Sequence, residues 1–159
     1  MTLEFNRLQV QMDGETDIIV RRDFSHPPAG VWRAMTEPEL IRQWMSGNDY
    51  QMTRCEIDLR VGGVCHWGWT HAKGDTFFIA GTFQALRAPH HMEHVEYMNR
   101  DMSSGSAQTT DLVARGTGTR MTVVMRYDRA EKRAAAIATG MTDGMELTYG
   151  NLEALLPGI

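Results

Sequence analysis

Residues 27–45 read PPAGVWRAMTEPELIRQWM, and this stretch decides where the chain is helical and where it is extended. Its apolar side chains recur every three or four residues, which is the spacing of one helix face; they are Val31, Trp32, Met35, Leu40, Ile41, Trp44 and Met45. Pro38 interrupts the pattern because proline has no backbone donor. The segment predicts two short helices joined at residues 36–38, with Thr36 as the N-cap of the second helix.

On both sides of this segment the apolar period falls to two, which is typical of β-strands. Strands are predicted at residues 7–12 and 17–24, and then within YQMTRCEIDL, VCHWGWTH, TFFIAGTFQAL, MEHVEYM, AQTTDLVAR and RMTVVMRY, from residue 50 to residue 127. Residues with turn chemistry separate these runs, and we expect one such turn at Ser103-Ser104-Gly105.

Residues 129–156 contain no proline and are rich in Ala, Glu, Met and Leu, so they are predicted to form one long helix. Gly140, Gly144 and Gly150 fall inside it, and each costs about 1 kcal/mol relative to alanine. We therefore expect a close helix–sheet approach or a bend between Gly140 and Gly144. The element order predicts an α+β fold with helices covering one face of an antiparallel sheet.

The composition excludes several function classes. The 159 residues carry 16 Lys and Arg against 20 Asp and Glu, a formal net charge of −4, which argues against binding nucleic acid or anionic membranes through bulk charge. No apolar run is long enough to span a membrane, and the N-terminus does not resemble a signal peptide. We expect a single domain over residues 1–159, with residues 1–15 as an extension or edge strand. Cys55 and Cys65 are expected to be reduced thiols in a cytoplasmic protein.

The order of several short motifs resembles one known family. The matching residues are Pro28, Val31, Trp32, Thr36, Pro38, Leu40, Trp44, Asp58, Arg60, Gly62, Gly63, Gly81, Pro89, Gly118 and Thr119. A closing pattern runs from Gly144 to Leu152, with Met145 where the family usually has tryptophan. Through these residues the chain resembles the homologues of the C-terminal domain of the heat-shock protein 90 ATPase activator (AHSA-type), within the START-like (SRPBCC) superfamily.

The resemblance implies a helix-grip fold, in which a curved antiparallel sheet wraps a long C-terminal helix and two short helices close one end. In such relatives the space between sheet and helix is commonly a cavity for a small hydrophobic molecule. The implied function is binding of a small hydrophobic or amphipathic ligand. Some relatives cyclise or dehydrate polyketide-like compounds and others are cochaperones, so an enzyme of that type and a chaperone-associated interaction module both stay open as alternatives.

Strand alternation predicts which side chains face such a cavity. The candidate lining combines aromatic, aliphatic and sulfur-containing side chains with two polar ones, and consists of Trp67, Trp69, Phe83, Met92, His94, Glu96, Met121, Val123, Met125, Met141 and Met145. Methionine makes such a lining deformable, so that it adapts to varied apolar shapes. The alternative interpretation is that these residues form a packed core.

His94 and Glu96 are the polar members of this set, about 6.6 Å apart along a strand. A buried carboxylate must be paired, protonated or close to solvent. We expect the two residues to orient a polar end of the ligand or to act as acid and base, in the enzyme alternative with Tyr97 or Tyr149. In the opposite register, Val95 and Tyr97 would face inward instead.

No metal site and no cofactor are expected. His90 and His94 would lie about 13 Å apart along a strand, with His91 on its other side, too far for shared metal ligation. The sequence shows no Cys/His or Ser/His/Asp motif, so no catalytic residue is assigned. A small hydrophobic molecule is the expected partner, while a homodimer and a chaperone partner stay open.

Overall fold

The computed structural model describes residues 3–47 and 49–159, which form eight strands and four α-helices. The strands are β1 (Gln9–Asp13), β2 (Asp17–Phe24), β3 (Tyr50–Ile57), β4 (Val64–His71), β5 (Thr76–Arg87), β6 (His91–Met98), β7 (Asp101–Arg115) and β8 (Gly118–Arg126). The helices are α1 (Pro28–Thr36), α2 (Pro38–Trp44), α3 (Ala130–Ala138) and α4 (Met141–Leu155), followed by a short 3-10 turn at Leu156–Gly158. Within these ranges no helix combines the length and the apolar character needed to cross a membrane.

All eight strands belong to one curved antiparallel sheet with the order β1-β2-β8-β7-β6-β5-β4-β3. The two short helices follow β2, and the long helix α4 comes last, so the α+β helix-grip architecture expected from the sequence is confirmed. Strand β1 pairs with β2, Val10 lying opposite Val20, and forms one edge of the sheet. Met1 and Thr2, the start of the expected extension, lie outside the described residues.

Helices α1 and α2 are the two short helices that the apolar spacing predicts. Each begins with a proline, whose fixed φ suits the first helical turn. Trp44 ties the two helices together, since its indole Nε1 donates to the carbonyl oxygen of Ala34 at 2.8 Å. The prediction that Thr36 caps the second helix is wrong. Glu37 occupies the N-cap position, and the Thr36 hydroxyl donates back to the Trp32 carbonyl oxygen at 2.7 Å.

The C-terminal helical region is divided in two, so the prediction of one continuous helix over residues 129–156 is wrong. Gly140 has φ of +79°, a left-handed conformation that separates α3 from α4. The bend expected between Gly140 and Gly144 is therefore present at Gly140. Close packing does not explain Gly144 or Gly150, because outside the helix's own backbone no described atom lies within 4 Å of a Cβ added at either position.

Strand β7 begins earlier than the sequence predicts, and the turn expected at residues 103–105 lies inside it. The chain reverses instead near Asn99, which has φ of +54°. The Ser104 hydroxyl accepts from the backbone N–H of Met98 at 2.8 Å and donates to the carbonyl oxygen of Asp101 at 2.7 Å. It thus satisfies backbone groups beside an irregularity in the β6–β7 pairing. Serine side chains form the same kind of hydrogen bond to the backbone in turns, which explains why residues 103–105 have the composition of a turn.

The packed core occupies one part of the space between sheet and helices. Ile18 and Val20 from β2, Met121 from β8 and Leu152 from α4 are all fully buried there. Helix α1 covers this part of the sheet with Val31. Towards β4, β5 and β6 the side chains leave a space beneath α3 and α4, and this space contains the candidate site.

Candidate functional site

A cavity of about 630 Å³ lies between the sheet and helices α2, α3 and α4. We call the side of the sheet that faces these helices the inner face, and the opposite side the outer face. Nine residues expected from the sequence to surround a cavity lie in its wall, namely Trp67, Trp69, Met92, His94, Glu96, Val123, Met125, Met141 and Met145. Polar, exposed residues of the wall, such as Asp101, Ser103 and Glu131, mark where the cavity meets solvent.

Two residues expected in the wall lie behind it, which corrects the sequence prediction. Met121 is fully buried in the packed core, opposite Leu112 of β7. Phe83 is 3% exposed, and its ring centroid lies 6.2 Å from that of His94, its partner in the β5–β6 register. Alternation along a strand decides which face a side chain occupies, but not whether the helices above it leave a space. Contact of the other nine residues with a ligand stays a prediction.

Strand β6 directs His94 and Glu96 into the cavity, and their side chains are only 9% and 20% exposed. The Nε2 atom of His94 lies 2.9 Å from Oε2 of Glu96. Tyr97 also reaches the wall, beside the irregularity in pairing between Glu96 and Met98. Of the two registers considered for β6, the structure therefore has the one in which His94 and Glu96 lie on the inner face.

The two residues belong to a larger polar cluster, which we define as His94, Glu96, Ser106, Gln108 and Tyr127. The Nε2 atom of Gln108 donates to Oε1 of Glu96 at 2.6 Å and to Oγ of Ser106 at 3.2 Å. The β6–β7 register brings them together, since His94 pairs with Gln108 and Glu96 pairs with Ser106. The Tyr127 hydroxyl lies 3.9 Å from the Met141 sulfur, at the junction with α4.

Gly81 provides the space beside this cluster. It pairs with Glu96 on the β5 side, and a Cβ added to it would lie 2.5 Å from the carbonyl oxygen of Val95. The same Cβ would lie 3.3 Å from both the Cys65 sulfur and the Glu96 Cβ. A residue with a side chain at position 81 would therefore displace the strand that carries the carboxylate.

The carboxylate of Glu96 acts on several buried neighbours. Burial raises the pKa of the Cys65 thiol to about 12, and the negative charge of Glu96 adds to the effect. Burial likewise raises the pKa of the Tyr127 and Tyr149 hydroxyls, again with a contribution from Glu96. Because these groups all keep their protons, Glu96 supplies the negative charge in this part of the cavity.

Sequence reasoning missed the part of the site that β7 contributes. Ser106, Gln108 and Thr110 line the cavity, although alternation by polarity alone would have turned them to solvent. The pairing of β6 with β7 is the feature that could have located them. His94 pairs with Gln108, so if His94 faces inward, Gln108 must do so too. Tyr149 lines the wall as well, and its ring stacks on Trp44 with centroids 5.7 Å apart.

The histidines that invited a metal interpretation point to separate partners. His90 Nδ1 lies 3.0 Å from the Leu112 carbonyl oxygen, and His91 contacts the carboxylates of Asp111 and Glu93. Within residues 3–47 and 49–159, no cluster of three or more His, Cys, Asp or Glu side chains is arranged to hold a metal ion.

The fold is shared with several solved bacterial proteins. The crystal structure of a protein from Rhodobacter sphaeroides has a TM-score of 0.90 at 27% identity, over 96% of this chain and 99% of that chain. For a protein from Nitrosomonas europaea the TM-score is 0.82 at 25% identity, over 92% and 97%. An AHSA1-like protein from Aeromonas hydrophila shares the fold with a TM-score of 0.69 at 20% identity, over 87% and 94%. Comparison with curated proteins gave no match.

One family matches most of the sequence. It is described as "Activator of Hsp90 ATPase homolog 1-like protein", and its profile matches residues 25–157. The matched range runs from the end of β2 through the last helix, so it includes the strands and helices that surround the cavity. On this match the chain belongs to the activator of Hsp90 ATPase homolog 1-like family.

Proposed function

We propose that this protein binds a small hydrophobic or amphipathic molecule in the cavity between the sheet and α4. The observation that carries the proposal is the cavity itself, an apolar space of about 630 Å³ with one polar cluster in its wall. Small-molecule sites in proteins have volumes of roughly 300–1,000 Å³, mostly apolar walls and a few placed polar groups. This cavity matches that description in size and in chemistry.

The walls support a ligand that is flat or flexible and largely apolar. Trp69 stacks on Phe77 with ring centroids 4.7 Å apart, and its Nε1 donates to the Met45 carbonyl oxygen at 2.7 Å, so the indole is held in place. The same cavity wall contains the two methionines of α4, Met141 and Met145. A wall with both a fixed aromatic ring and deformable thioethers suits apolar ligands of varied outline.

A binding role accounts for the polar groups better than an interaction module does. A module that acts only through its surface would favour a filled interior, whereas this interior is hollow. A carrier needs one or two polar groups to orient its ligand, and the His94–Glu96 pair provides them. Cys55 and Cys65 are free and buried, which supports a reducing, cytoplasmic location as part of this proposal.

Methionine methyl NMR tests the proposal without any variant. The uncharged fluorophore N-phenyl-1-naphthylamine is titrated into protein carrying ¹³C-methyl methionine. We expect saturable shifts at the methionines that line the cavity, which are Met35, Met45, Met92, Met98, Met125, Met141 and Met145. Met12 is 46% exposed and lies outside the wall, on the edge strand β1, so its signal serves as an internal control.

A matched pair of substitutions on α3 locates the bound probe. Ala136 lines the cavity, whereas Ala134 is exposed. Ala136→Trp should fill the space and weaken probe binding by at least about tenfold, while Ala134→Trp should leave it unchanged. A shift at Met12 without shifts at the lining methionines, or equal binding by the two tryptophan variants, would contradict a ligand in this cavity.

A further inference from the structure

The N–H groups of His94 and Gln108 are used within the polar cluster, as donors to Glu96 and Ser106. An ionised carboxylate only accepts, so His94 must carry its proton on Nε2, and the Gln108 atom next to Glu96 must be the amide nitrogen. The same Gln108 amide nitrogen donates to Ser106. The N–H groups of the cluster therefore point at one another or at Glu96, rather than at the open space of the cavity.

Glu96 and Gln108 offer acceptors to a ligand, and the remaining donors of the cluster are the hydroxyl groups of Ser106 and Tyr127, of which the Tyr127 hydroxyl is directed at the Met141 sulfur. Both oxygens of Glu96 have lone pairs beyond the single hydrogen bond each receives, and the Gln108 carbonyl oxygen is turned away from Glu96. The Nδ1 atom of His94 is buried and, among the described residues, has no hydrogen-bond partner, but its surface is closed to a ligand in the cavity as well as to solvent. Glu96 and Gln108 are therefore the acceptors within reach of a ligand.

The charge near Glu96 is negative, and the cationic groups of the wall lie elsewhere. The cationic residues of the described wall, Arg129 and Lys132, lie on or next to α3. Both approach Asp128, with Lys132 Nζ 3.0 Å and Arg129 Nε 4.0 Å from its carboxylate. Glu96 is instead bonded to a neutral amide and an imidazole, among apolar walls that screen charge poorly.

We propose that the ligand's polar end is a hydrogen-bond-donating cation, a protonated amine on an apolar body, held by the carboxylate of Glu96 with the carbonyl oxygen of Gln108. This inference rests on the proposed function and names the ligand class for the same cavity. An ammonium group has three donors and no acceptor, which is the complement of the acceptors in the wall. Charge-assisted hydrogen bonds to a desolvated carboxylate are the strongest contacts available in such a site. A carboxylate ligand would face the like charge of Glu96.

Three probes with the same eight-carbon chain test the inference on the unmodified protein. Octylamine, 1-octanol and octanoic acid are compared at pH 7 by isothermal titration calorimetry and by displacement of N-phenyl-1-naphthylamine. We expect octylammonium to bind about tenfold tighter than octanol, since a hydrogen bond to a charged group is worth roughly one order of magnitude or more. Octanoate should bind most weakly of the three.

A matched pair of glutamate variants assigns the preference to one carboxylate. Glu96→Gln and Glu93→Gln change the net charge equally and lie on the same strand, but Glu93 faces away from the cavity and is 44% exposed on its side chain. Glu96→Gln should cost octylammonium about tenfold in affinity and leave octanol nearly unchanged. Glu93→Gln should change neither.

The outcomes separate the inference from the proposed function. If octanol binds but octanoate binds as tightly as octylammonium, the cation preference is overturned while the cavity remains a ligand site. The same holds if both glutamate variants weaken octylammonium equally. If neither the octyl probes nor N-phenyl-1-naphthylamine bind, the proposed function fails together with the inference. The ranking of the three probes on the parent protein stands as a test even where Glu96→Gln does not fold.

Discussion

Strand β6 carries two histidine–glutamate pairs with the same spacing, one on each face of the sheet. On the outer face, His91 Nε2 lies 3.1 Å from Glu93, and its Nδ1 lies 2.6 Å from Asp111. On the inner face, Nε2 of His94 lies 2.9 Å from Glu96, and among the described residues its Nδ1 has no partner. The outer imidazole is thus satisfied on both nitrogens by carboxylates. The inner pair keeps acceptor capacity unused, within a cavity.

The difference teaches that the face of the sheet, more than the residue pair, decides what a histidine and a glutamate do. Outer-face partners are 44% and 46% exposed on their side chains, so water screens their charges. Glu96 is 20% exposed and surrounded by apolar side chains, so its charge acts on neighbours as far as Tyr149. We expect substitutions on the inner face to have large effects and matched substitutions on the outer face to have small ones.

The largest contrast is expected between two aromatic residues at the β4–β5 hairpin. Trp69→Ala removes an inner-face indole that is 7% exposed, stacked on Phe77 and bonded to the Met45 carbonyl oxygen. Its loss should lower the free energy of unfolding by about 3–5 kcal/mol. Phe78→Ala removes a half-buried outer-face ring that stacks on His66, at a cost of about 1 kcal/mol. Urea unfolding followed by circular dichroism measures both values, and equal losses would break the contrast.

A smaller contrast is expected between adjacent residues of β7. Gln108→Leu removes the donor at 2.6 Å from Glu96, and a poorly solvated carboxylate that loses a donor should cost about 1–3 kcal/mol of unfolding free energy. Thr109→Val removes a hydroxyl 3.4 Å from Arg126 on the outer face, and should cost no more than about 0.5 kcal/mol. Urea unfolding again gives both values. A Gln108 variant as stable as the Thr109 variant would show that Glu96 does not depend on this amide.

The sequence predicted the inner face well where apolar residues alternate with others. In β4, Trp67 and Trp69 alternate with smaller residues, so the pattern predicts that both indoles face inward. Both do line the cavity. In β7 residues of both faces are polar, so Gln108 and Ser106 could be placed only through their partners on β6. In a filled core, the polarity of a residue predicts whether its side chain is buried. The same rule fails in the wall of a cavity, because a binding site needs polar side chains that face inward.

The helices show a second limit of sequence reasoning. The proline positions and the apolar spacing were enough to predict helices α1 and α2, because both signals are local. The division at Gly140 was expected as a bend but not as a break, since a glycine in a helical pattern is compatible with either. Helix propensity along residues 129–156 favours one helix, but in the structure the left-handed conformation of Gly140 ends α3 and α4 begins after it.

The smallest effect concerns the titration of the outer pair. Hydrogen bonds to Asp111 and then to Glu93 raise the pKa of His91 above its ordinary value of 6.5, against smaller opposing effects of burial and of the positive charge of Arg87. A pKa that is higher in the folded state means that the folded protein binds the proton more tightly. The stabilisation is therefore fully present below pH 6.5, and it is lost as the pH rises through the raised pKa of the folded state.

Removing the carboxylate of Asp111 tests this explanation of the raised pKa of His91. Asp111→Asn takes away the hydrogen bond at 2.6 Å, so the pKa of His91 should fall toward its ordinary value. Because the partners are nearly half exposed, the accompanying loss of stability at low pH should be no more than about 1 kcal/mol, and it should vanish at high pH. Imidazole ¹H–¹⁵N NMR follows the pKa, and urea unfolding on both sides of pH 6.5 follows the stability. A parent His91 that titrates at or below 6.5, or a variant whose pKa is unmoved, would mean that the outer carboxylates are too well hydrated to act on the ring. The two faces of β6 would then differ in burial alone and not in how their histidines are bound.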